Sequence, residues 1–397
     1  MTNQYYKDSS FEIYFGKMEN ILKTFDKNSI DCIITDPPYE INFMNKEWDK
    51  SGIAFKKETW EYCFNVLKPG GYLLAFGGSR TYHRITCAIE DAGFEIRDCI
   101  LWVYGSGFPK SLNLFKLMKR KGKEMEKWQG YGTCLKPAYE PIILARKPFK
   151  GSLVDNLLKN NVGGLNIEEC RIPLNNETIA KNIAFTEVKQ SSGWGTKQCI
   201  TEQTEDGRFP ANVITDGSEE VTKLFPMRNT PNGSITKQYT MNHIVYGNYG
   251  QCNIYQSKKD KGSAIRYFKQ CKYSDKDLNY PPLYYCSKAS KRDRNEGTIK
   301  NIHPTIKPTE LMQYLIRLVA PKGTIILDPF MGSGSTGKAC MLENIEHDSN
   351  YYFIGIEMTD DYLPIARDRI LYAKNKYQYQ IKDSNSVQTL FDFMEDQ

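Results

Sequence analysis

Short apolar segments alternate with amphipathic ones at both ends of this 397-residue chain, and this alternation constrains the fold more than any other feature. The apolar segments predict strands at 31–36, 72–78, 95–104, 140–148, 324–328 and 351–357. The amphipathic segments predict helices at 59–67, 84–93, 308–323 and 335–344. Lys68-Pro69-Gly70-Gly71 predicts a turn after the first of these helices. Such alternation favours a parallel sheet covered by helices on both faces.

The middle of the chain, 151–280, has a different character. It is polar and irregular, rich in Asn, Gly, Lys and Tyr, and it lacks long periodic segments. Bulky side chains such as Trp194 and Phe225 recur too often for a simple linker. We therefore expect 1–150 and 281–397 to form one domain, with a polar tail at its end, and 151–280 to be inserted as a separate region.

Charge and cysteine content narrow the class of protein. The 53 Lys and Arg against 47 Asp and Glu give a net charge of +6, which permits a nucleic-acid partner without requiring one. The 11 cysteines and four histidines show no C-x-x-C pair or other zinc-ligand spacing, so we expect no metal site and no disulfide framework. We recognise no signal peptide or membrane-spanning run, and the expectation is a cytoplasmic protein.

A glycine-rich stretch, FMGSGSTGKAC at 330–340, follows one of the predicted strands. It nearly matches G-x-x-x-x-G-K-[ST], the loop that holds the phosphates of ATP or GTP. That loop needs Ser or Thr after its lysine to bind magnesium, whereas Ala339 follows Lys338 in this chain. The sequence therefore disfavours a triphosphate site.

The same stretch fits a nucleoside-binding crevice at the carboxyl edge of a sheet. Asp328 ends the preceding strand, and the glycines beyond it let the backbone approach a ligand closely. Glu357 ends the next predicted strand, where its carboxylate can accept hydrogen bonds from both hydroxyls of a ribose. A tight turn with a surface glutamate is the alternative interpretation, and the strand–loop–helix–strand order disfavours it.

The segment TDPPYE at 35–40 decides between these interpretations, because Asp36-Pro37-Pro38-Tyr39 follows a predicted buried strand. Together with Phe330-Met331-Gly332-Ser333-Gly334 it resembles the amino-group DNA methyltransferases, whose signature joins [DNS]-P-P-[YFW] to F-x-G-x-G. HPTIKP at 303–308 resembles the H-P-T-x-K-P segment of that family. With D-P-P-Y first and the glycine loop last, the order of the motifs resembles the circularly permuted β class.

The resemblance implies an α/β, Rossmann-like fold that uses S-adenosylmethionine, with target recognition placed in 151–280. It implies that Asp36, Pro37, Pro38 and Tyr39 act on the target base. The Asp36 carboxylate and the Pro37 carbonyl would accept hydrogen bonds from the amino group, and Tyr39 would stack on the base. The residues that it assigns to the methyl donor are Asp328, Pro329, Phe330, Gly332, Ser333, Gly334, Glu357, Thr305 and Lys307.

The reaction implied is methyl transfer to an amino nitrogen of a base flipped out of double-stranded DNA. Asp36 at the first motif position favours N6 of adenine over N4 of cytosine, and the absence of a Pro-Cys dipeptide disfavours C5 of cytosine. RNA or protein amides as substrates, and a DNA-recognition protein that binds the donor without catalysis, are further alternatives. The resemblance also allows a cognate restriction endonuclease and a homodimer, in a bacterial or phage-infected cell.

Two further features bear on the donor and on DNA. Gly16-Lys17 stands where relatives carry Gly-Asp, and Glu19 is the candidate replacement for that acid. Basic residues cluster at 116–127, 257–276 and 287–295, where phosphate contacts would make DNA binding depend on salt. For each cluster, a solvated basic surface is the alternative.

Overall fold

The computed structural model of the protein divides into two compact units. The residues that it describes are 3–41, 47–107, 109, 111–123, 125–174, 179–188, 196–204, 207–230, 242–243, 247–248, 260–271, 289–298 and 301–376. The first unit consists of Met1–Cys170, Asn212–Ser218 and Gln270–Gln397, and the second of Arg171–Ala211 and Glu219–Lys269.

The described strands are β1 (Gln4–Lys7), β2 (Phe11–Phe15), β3 (Ile30–Thr35), β4 (Leu67–Phe76), β5 (Glu95–Val103), β6 (Tyr139–Arg146), β7 (Ile179–Val188), β8 (Thr196–Thr204), β9 (Val213–Thr215), β10 (Met227–Thr230), β11 (Asn242–His243), β12 (Gly247–Asn248), β13 (Asp260–Ser263), β14 (Lys269–Gln270), β15 (Ile325–Asp328) and β16 (Tyr352–Glu357). The described α-helices are α1 (Met18–Leu22), α2 (Lys57–Val66), α3 (Tyr82–Asp91), α4 (Leu114–Arg120), α5 (Leu153–Asn160), α6 (Glu219–Thr222), α7 (Lys291–Asn295), α8 (Thr309–Val319), α9 (Ser335–Glu346) and α10 (363–376).

A ten-stranded sheet has the order β1-β2-β16-β15-β3-β4-β6-β5-β9-β14. The pairings from β2 through β16, β15 and β3 to β4 are parallel, as the strand–helix alternation predicts. Strand β6 is antiparallel to both of its neighbours, β4 and β5, and β1 is antiparallel to β2. The sheet is therefore mixed, with a parallel centre.

Alternate residues of the central strands face two separate hydrophobic clusters. Ile34 and Leu74 face a cluster that holds the buried faces of α8, α9 and α10. Ile33 and Leu73 face the other cluster, which holds those of α1, α2 and α3. The strand residues are apolar on both faces because helices cover both sides of the sheet. This confirms the α/β three-layer architecture expected from the sequence.

Strands β3 and β15 lie side by side at the point where the chain direction across the sheet reverses. From β15 the chain passes through α9 to β16 on one side, and from β3 it passes through α2 to β4 on the other. The carboxyl ends of strands at such a switch point leave an open crevice. The half with D-P-P-Y comes first in the chain and the half with the glycine loop comes last, as the resemblance implies.

The structure differs from the predictions at the Lys68–Gly71 segment. Helix α2 passes directly into β4 at Leu67, so the predicted turn lies inside the strand. The backbone of this segment forms hydrogen bonds with the residue that follows β6. Gly70 N donates to Lys147 O and Lys147 N donates to Gly71 O, both at 2.9 Å. Gly70 has a φ of +84°, and the pairing of β3 with β4 shifts register beside it. The glycines thus form an irregularity in a strand instead of a turn.

The second unit contains antiparallel pairs within its own chain segments. Strands β7 and β8 pair with each other over most of their length, and β10 pairs with β13. The assignment of target recognition to this part of the chain stays a prediction. Among the described residues, no helix is both long enough and apolar enough to cross a bilayer.

Candidate active site

Asp328, at the carboxyl end of β15, joins the two central strands to the glycine-rich loop. Its Oδ1 accepts hydrogen bonds from Thr35 Oγ1 of β3 at 2.7 Å and from Phe330 N at 3.1 Å. Its Oδ2 accepts one from Thr336 Oγ1 of α9 at 2.6 Å. Burial raises the pKa of Asp328 to about 6, although these hydrogen bonds favour the ionised form. Asp328 therefore fixes the loop against both strands, and its contact with a donor stays a prediction.

The glycine-rich loop needs glycine where the backbone turns into α9. Gly332 has a φ of +54°, and a Cβ there would lie 2.8 Å from His303 Nε2. Gly334 has a φ of +75° and precedes α9, where a Cβ would lie 3.0 Å from the backbone of Ala366. Both positions combine a left-handed backbone with close packing, so a side chain is disfavoured at either one.

Glu357, at the carboxyl end of β16, faces the same loop. Its Oε2 accepts a hydrogen bond from Gly332 N at 2.8 Å, and its Oε1 accepts one from Thr359 N at 2.7 Å. Burial raises its pKa, while the backbone donors partly offset that effect. A carboxylate has room for about four hydrogen bonds, so both oxygens retain the capacity to accept hydrogens from a ligand.

Lys338, the residue that resembles a phosphate-loop lysine, is buried away from this crevice. Its Nζ lies 2.7 Å from Asp293 Oδ1 and 2.8 Å from Glu296 Oε2, and it is not among the described residues that line the cavity. Arg369 on α10 is also fully buried, and its Nη1 donates to Ser333 O at 2.6 Å. Lys338 is thus committed to an internal ion pair, which agrees with the rejection of a triphosphate site.

The D-P-P-Y segment follows β3, and its acid lies in a compact group of charges. Lys307 Nζ forms an ion pair with Asp36 Oδ2 and lies 3.7 Å from Glu140 Oε2. The Lys307 side chain is only 6% exposed, and burial lowers its pKa although Asp36 opposes the shift. The resemblance drawn from the sequence assigned Lys307 to the methyl donor. That role stays a prediction, and the structure places the ammonium on Asp36.

The second oxygen of Asp36 has a different environment. Asp36 Oδ1 is buried, and among the described residues no group forms a hydrogen bond with it. Tyr39 lies beside it, and the Tyr39 hydroxyl donates to Glu140 Oε2 at 3.2 Å. Burial raises the pKa of Tyr39 well above its usual value, so the hydroxyl stays protonated. Asp36 therefore offers an acceptor to a ligand while Lys307 holds its other oxygen.

Asp49 fixes the backbone after the D-P-P-Y segment, and His303 packs against two aromatic rings. Asp49 is 2% exposed and accepts hydrogen bonds from Glu40 N and Ile41 N, which anchors the chain just after Tyr39. His303 stacks on Trp48 and meets Tyr362 edge-on, with ring centroids 6.5 and 4.5 Å apart. Burial lowers the pKa of His303 to about 4, so the ring is neutral at physiological pH.

These elements enclose a cavity of about 1350 Å³ in the first unit. Of the predicted site residues, all except Gly334 line it, and Gly334 instead caps α9. Sequence reasoning missed Thr35, Thr336, Glu140 and Asp49, which support the predicted residues through side-chain contacts. Such contacts have no local sequence signal, because the partners lie apart in the chain.

The cavity wall fits a cationic nucleoside donor. Gly332 and the acidic side chain of Glu357 both line the cavity. Glu19 also lines the cavity, and its Oε2 is buried without a hydrogen-bond partner among the described residues. An unpaired buried carboxylate oxygen is costly unless a ligand satisfies it. The residues present therefore suit a donor that carries positive charge and hydroxyl groups.

Comparisons with known proteins identify the family of this chain. A family model described as DNA methylase matches residues 30–368. The type II methyltransferase M.HindIII of Haemophilus influenzae is 29% identical over 208 residues, which are 41% of this chain and 64% of that protein. M.HpaI of Haemophilus parainfluenzae is 22% identical over 88% of this chain and 70% of its own length. The solved structure titled PvuII DNA methyltransferase (cytosine-N4-specific) has a TM-score of 0.44 at 14% identity, covering 93% of this chain and 89% of that one. The chain thus spans just under two thirds of the length of M.HindIII.

Proposed function

Because this chain belongs to the DNA methylase family, we propose that it transfers a methyl group from S-adenosylmethionine to the N6 amino group of adenine in double-stranded DNA. The observation that carries the proposal is the buried Oδ1 of Asp36, which has no hydrogen-bond partner among the described residues and lies at the end of β3 in the same cavity as the glycine-rich loop. An amino group is the kind of ligand that this oxygen can accept a hydrogen bond from.

On the donor side, Glu357 would accept hydrogen bonds from the ribose hydroxyls, and the backbone at Gly332 would lie against the nucleoside. Glu19 would face the positive charge of the donor, while Thr305 and Lys307 would lie near its amino-acid end. When bound, S-adenosylmethionine supplies an electrophilic methyl group. Placing both ligands in one cavity replaces a bimolecular encounter by a fixed geometry, which lowers the barrier.

On the target side, the amino nitrogen is a weak nucleophile because its lone pair is delocalised into the ring. Asp36 Oδ1 would accept one N–H, and the carbonyl of Pro37 in the same cavity would accept the other. This arrangement favours a pyramidal nitrogen whose lone pair is available for the methyl group. The Pro37-Pro38 backbone and the Lys307 contact fix both acceptors before the base arrives.

The base must leave the duplex to reach Asp36, since this side chain lines the cavity and is only 25% exposed. Tyr39 would stack on the flipped base and offset part of the cost of unstacking. Support for adenine comes from Asp36, the acid that accompanies adenine in the resemblance drawn from the sequence. The partners that follow from this proposal are double-stranded DNA and, in a bacterial host, a restriction endonuclease of the same specificity.

Product analysis tests the proposal directly. We expect the protein to transfer labelled methyl groups to unmethylated bacterial genomic DNA. Nucleoside mass spectrometry should find N6-methyladenine, and methylation-aware sequencing should place it in one short motif. S-adenosylhomocysteine, which occupies the same donor site, should suppress the label and serves as the control. Detection of N4-methylcytosine would contradict the assignment to adenine. DNA that stays unlabelled although the protein binds S-adenosylmethionine would contradict DNA methylation as the function.

Replacing Glu357 by alanine should weaken the binding of S-adenosylmethionine by about 10- to 100-fold. Hydrogen bonds to a charged group contribute about 1.5 to 3 kcal/mol, and tenfold in affinity is about 1.4 kcal/mol. Isothermal titration calorimetry would measure the dissociation constant of the donor. Unchanged affinity would remove Glu357 from donor binding.

Because Glu357 also holds Gly332 N and Thr359 N, the alanine variant needs a control for loop geometry. Glu357→Gln keeps one oxygen acceptor and the side-chain volume, so its loss of affinity should be smaller than that of alanine. An equal loss for both variants, together with an unchanged melting temperature, would point to the charge as the contribution of Glu357.

A further inference from the structure

A long connection between β5 and β6 lies outside the sheet and contributes to the wall of the cavity. The described residues of 105–138, which we call the arm, lie between β5 and β6, whose ends pair as Val103 with Tyr139. At its base, Tyr104 N donates to Ala138 O at 2.9 Å, and Lys136 Nζ donates to Gly105 O at 2.5 Å. The arm is therefore anchored at the edge of the sheet where the site lies.

The two limbs of the arm are held together beyond this base. Leu112 N donates to Thr133 Oγ1 and Thr133 N donates to Ser111 Oγ, each at 2.9 Å. Leu114 N donates to Tyr131 O at 3.2 Å, directly before α4 begins. The position of α4 is thus coupled through hydrogen bonds to the returning limb.

The far part of the arm is strongly basic. Residues 111–123 contain five Lys or Arg and no Asp or Glu, and all five basic side chains are exposed: Lys116, Lys119, Arg120, Lys121 and Lys123. Helix α4 buries none of its residues fully. The apolar side chains of this helix are only partly buried, and the positive charge on its exposed side chains matches the phosphates of a duplex.

The returning limb forms part of the cavity wall. Thr133, Cys134, Leu135 and Lys136 line the cavity together with Asp36 and Tyr39. Leu135 is 91% exposed, which places a bulky apolar side chain in solvent at the rim. When a base leaves a duplex, it leaves a gap in the stack, and apolar side chains are suited to enter such gaps.

We propose that the arm is the DNA-docking element of this protein, with the basic side chains around α4 on the phosphates and Leu135 entering the stack where the target base has left. This rests on the proposed function, since it places the duplex over the methyl-transfer cavity. The ligand of this surface is double-stranded DNA, because the basic side chains around α4 and the residues that line the cavity belong to one hydrogen-bonded segment.

The first test measures the salt dependence of DNA binding. The variant Lys116→Ala/Arg120→Ala/Lys121→Ala removes three charges from the arm. Binding of a fluorescein-labelled duplex of mixed sequence is followed by anisotropy from about 50 to about 200 mM potassium chloride. Each lost phosphate contact lowers the log–log slope by about 0.9, so we expect a decrease of about 2 to 3 and a loss of affinity of at least about tenfold.

A charge-matched control lies at the opposite edge of the sheet. Lys27, Lys150 and Lys159 are exposed near the amino end of β3, after β6 and on α5. Replacing these three by alanine should leave the salt slope unchanged. Equal slopes for the two triple variants would overturn the docking proposal. If the unchanged protein methylates DNA, such a result leaves the proposed function intact, whereas a protein that neither binds nor methylates DNA would overturn both.

The second test concerns Leu135 and uses the motif found by sequencing, in a duplex with 2-aminopurine at the target position. The fluorescence of 2-aminopurine rises when it leaves the stack. Leu135→Ala should bind the duplex about as tightly as the unchanged protein but give a clearly smaller rise in fluorescence. Leu135→Met, which retains a long apolar side chain, should restore the rise. An undiminished rise with Leu135→Ala would overturn the role of Leu135 in the stack.

Discussion

Replacing Asp36 by alanine is expected to slow methyl transfer by at least about 10³-fold while leaving the dissociation constant of S-adenosylmethionine within about threefold. Among the described residues, Asp36 Oδ1 is a buried acceptor of the cavity that has no hydrogen-bond partner. Glu140, the other acid near Lys307, already accepts a hydrogen bond from Tyr39. Turnover on genomic DNA and calorimetry of donor binding would measure the two quantities separately.

Two controls distinguish a lost acceptor from a disturbed fold. Asp36→Asn keeps the side-chain volume but loses the charge opposite Lys307, and its turnover should fall with little change in melting temperature. Asp26→Ala removes an exposed acid at the other end of β3 and should leave turnover unchanged. Turnover retained in Asp36→Ala would mean that another group accepts the amino hydrogens.

Lys338→Met is expected to destabilise the protein by about 3 kcal/mol and to lower its melting temperature by about 5 °C. The substitution leaves Asp293 and Glu296 without their buried ammonium partner. Burial alone would raise the pKa of Asp293, but Lys338 and Arg369 outweigh it and the pKa is lowered. The expected loss of stability lies at the lower end of the usual cost of breaking a buried ion pair, because Thr309 and Arg369 still contact Asp293.

Lys57→Met is the matched control for this prediction. Lys57 forms an exposed ion pair with Glu61 one turn away on α2, at 3.0 Å. The same chemical exchange there should leave the melting temperature unchanged, because exposed pairs are well solvated. A stable Lys338→Met protein that had lost affinity for ATP would instead support the phosphate-loop interpretation.

Sequence reasoning located the ends of the central strands and the acids that follow them. Asp36, Asp328 and Glu357 each follow or end a buried apolar run. A strand that is buried on both faces gives a continuous apolar run, which can be recognised without knowledge of the neighbouring strands. The resemblance of the motifs then assigned these acids to one crevice. The family and the three-layer architecture could therefore be predicted before the structure was known.

Other features depend on partners that are distant in the sequence. The expectation of a parallel sheet was wrong for β6, which is antiparallel to both neighbours, because an apolar run is the same in a parallel and in an antiparallel strand. Strand β2 was missed although Phe11 and Ile13 are buried, since a five-residue strand gives a weak pattern. Asp293 and Arg369 could not be connected with the glycine-rich loop, because only the fold brings α7 and α10 behind it.

The hydrogen bond between Thr35 and Asp328 spans 293 positions of the chain and has a consequence for synthesis on the ribosome. At about 5 to 20 residues per second, about 15 to 60 s pass between the synthesis of Asp36 and that of β15, the strand that completes its crevice. During that interval the edge of β3 that later pairs with β15 has no partner, and an unpaired apolar edge invites association with other chains. Nascent chains stalled before β15 should therefore be inactive and should depend on chaperones to remain monomeric.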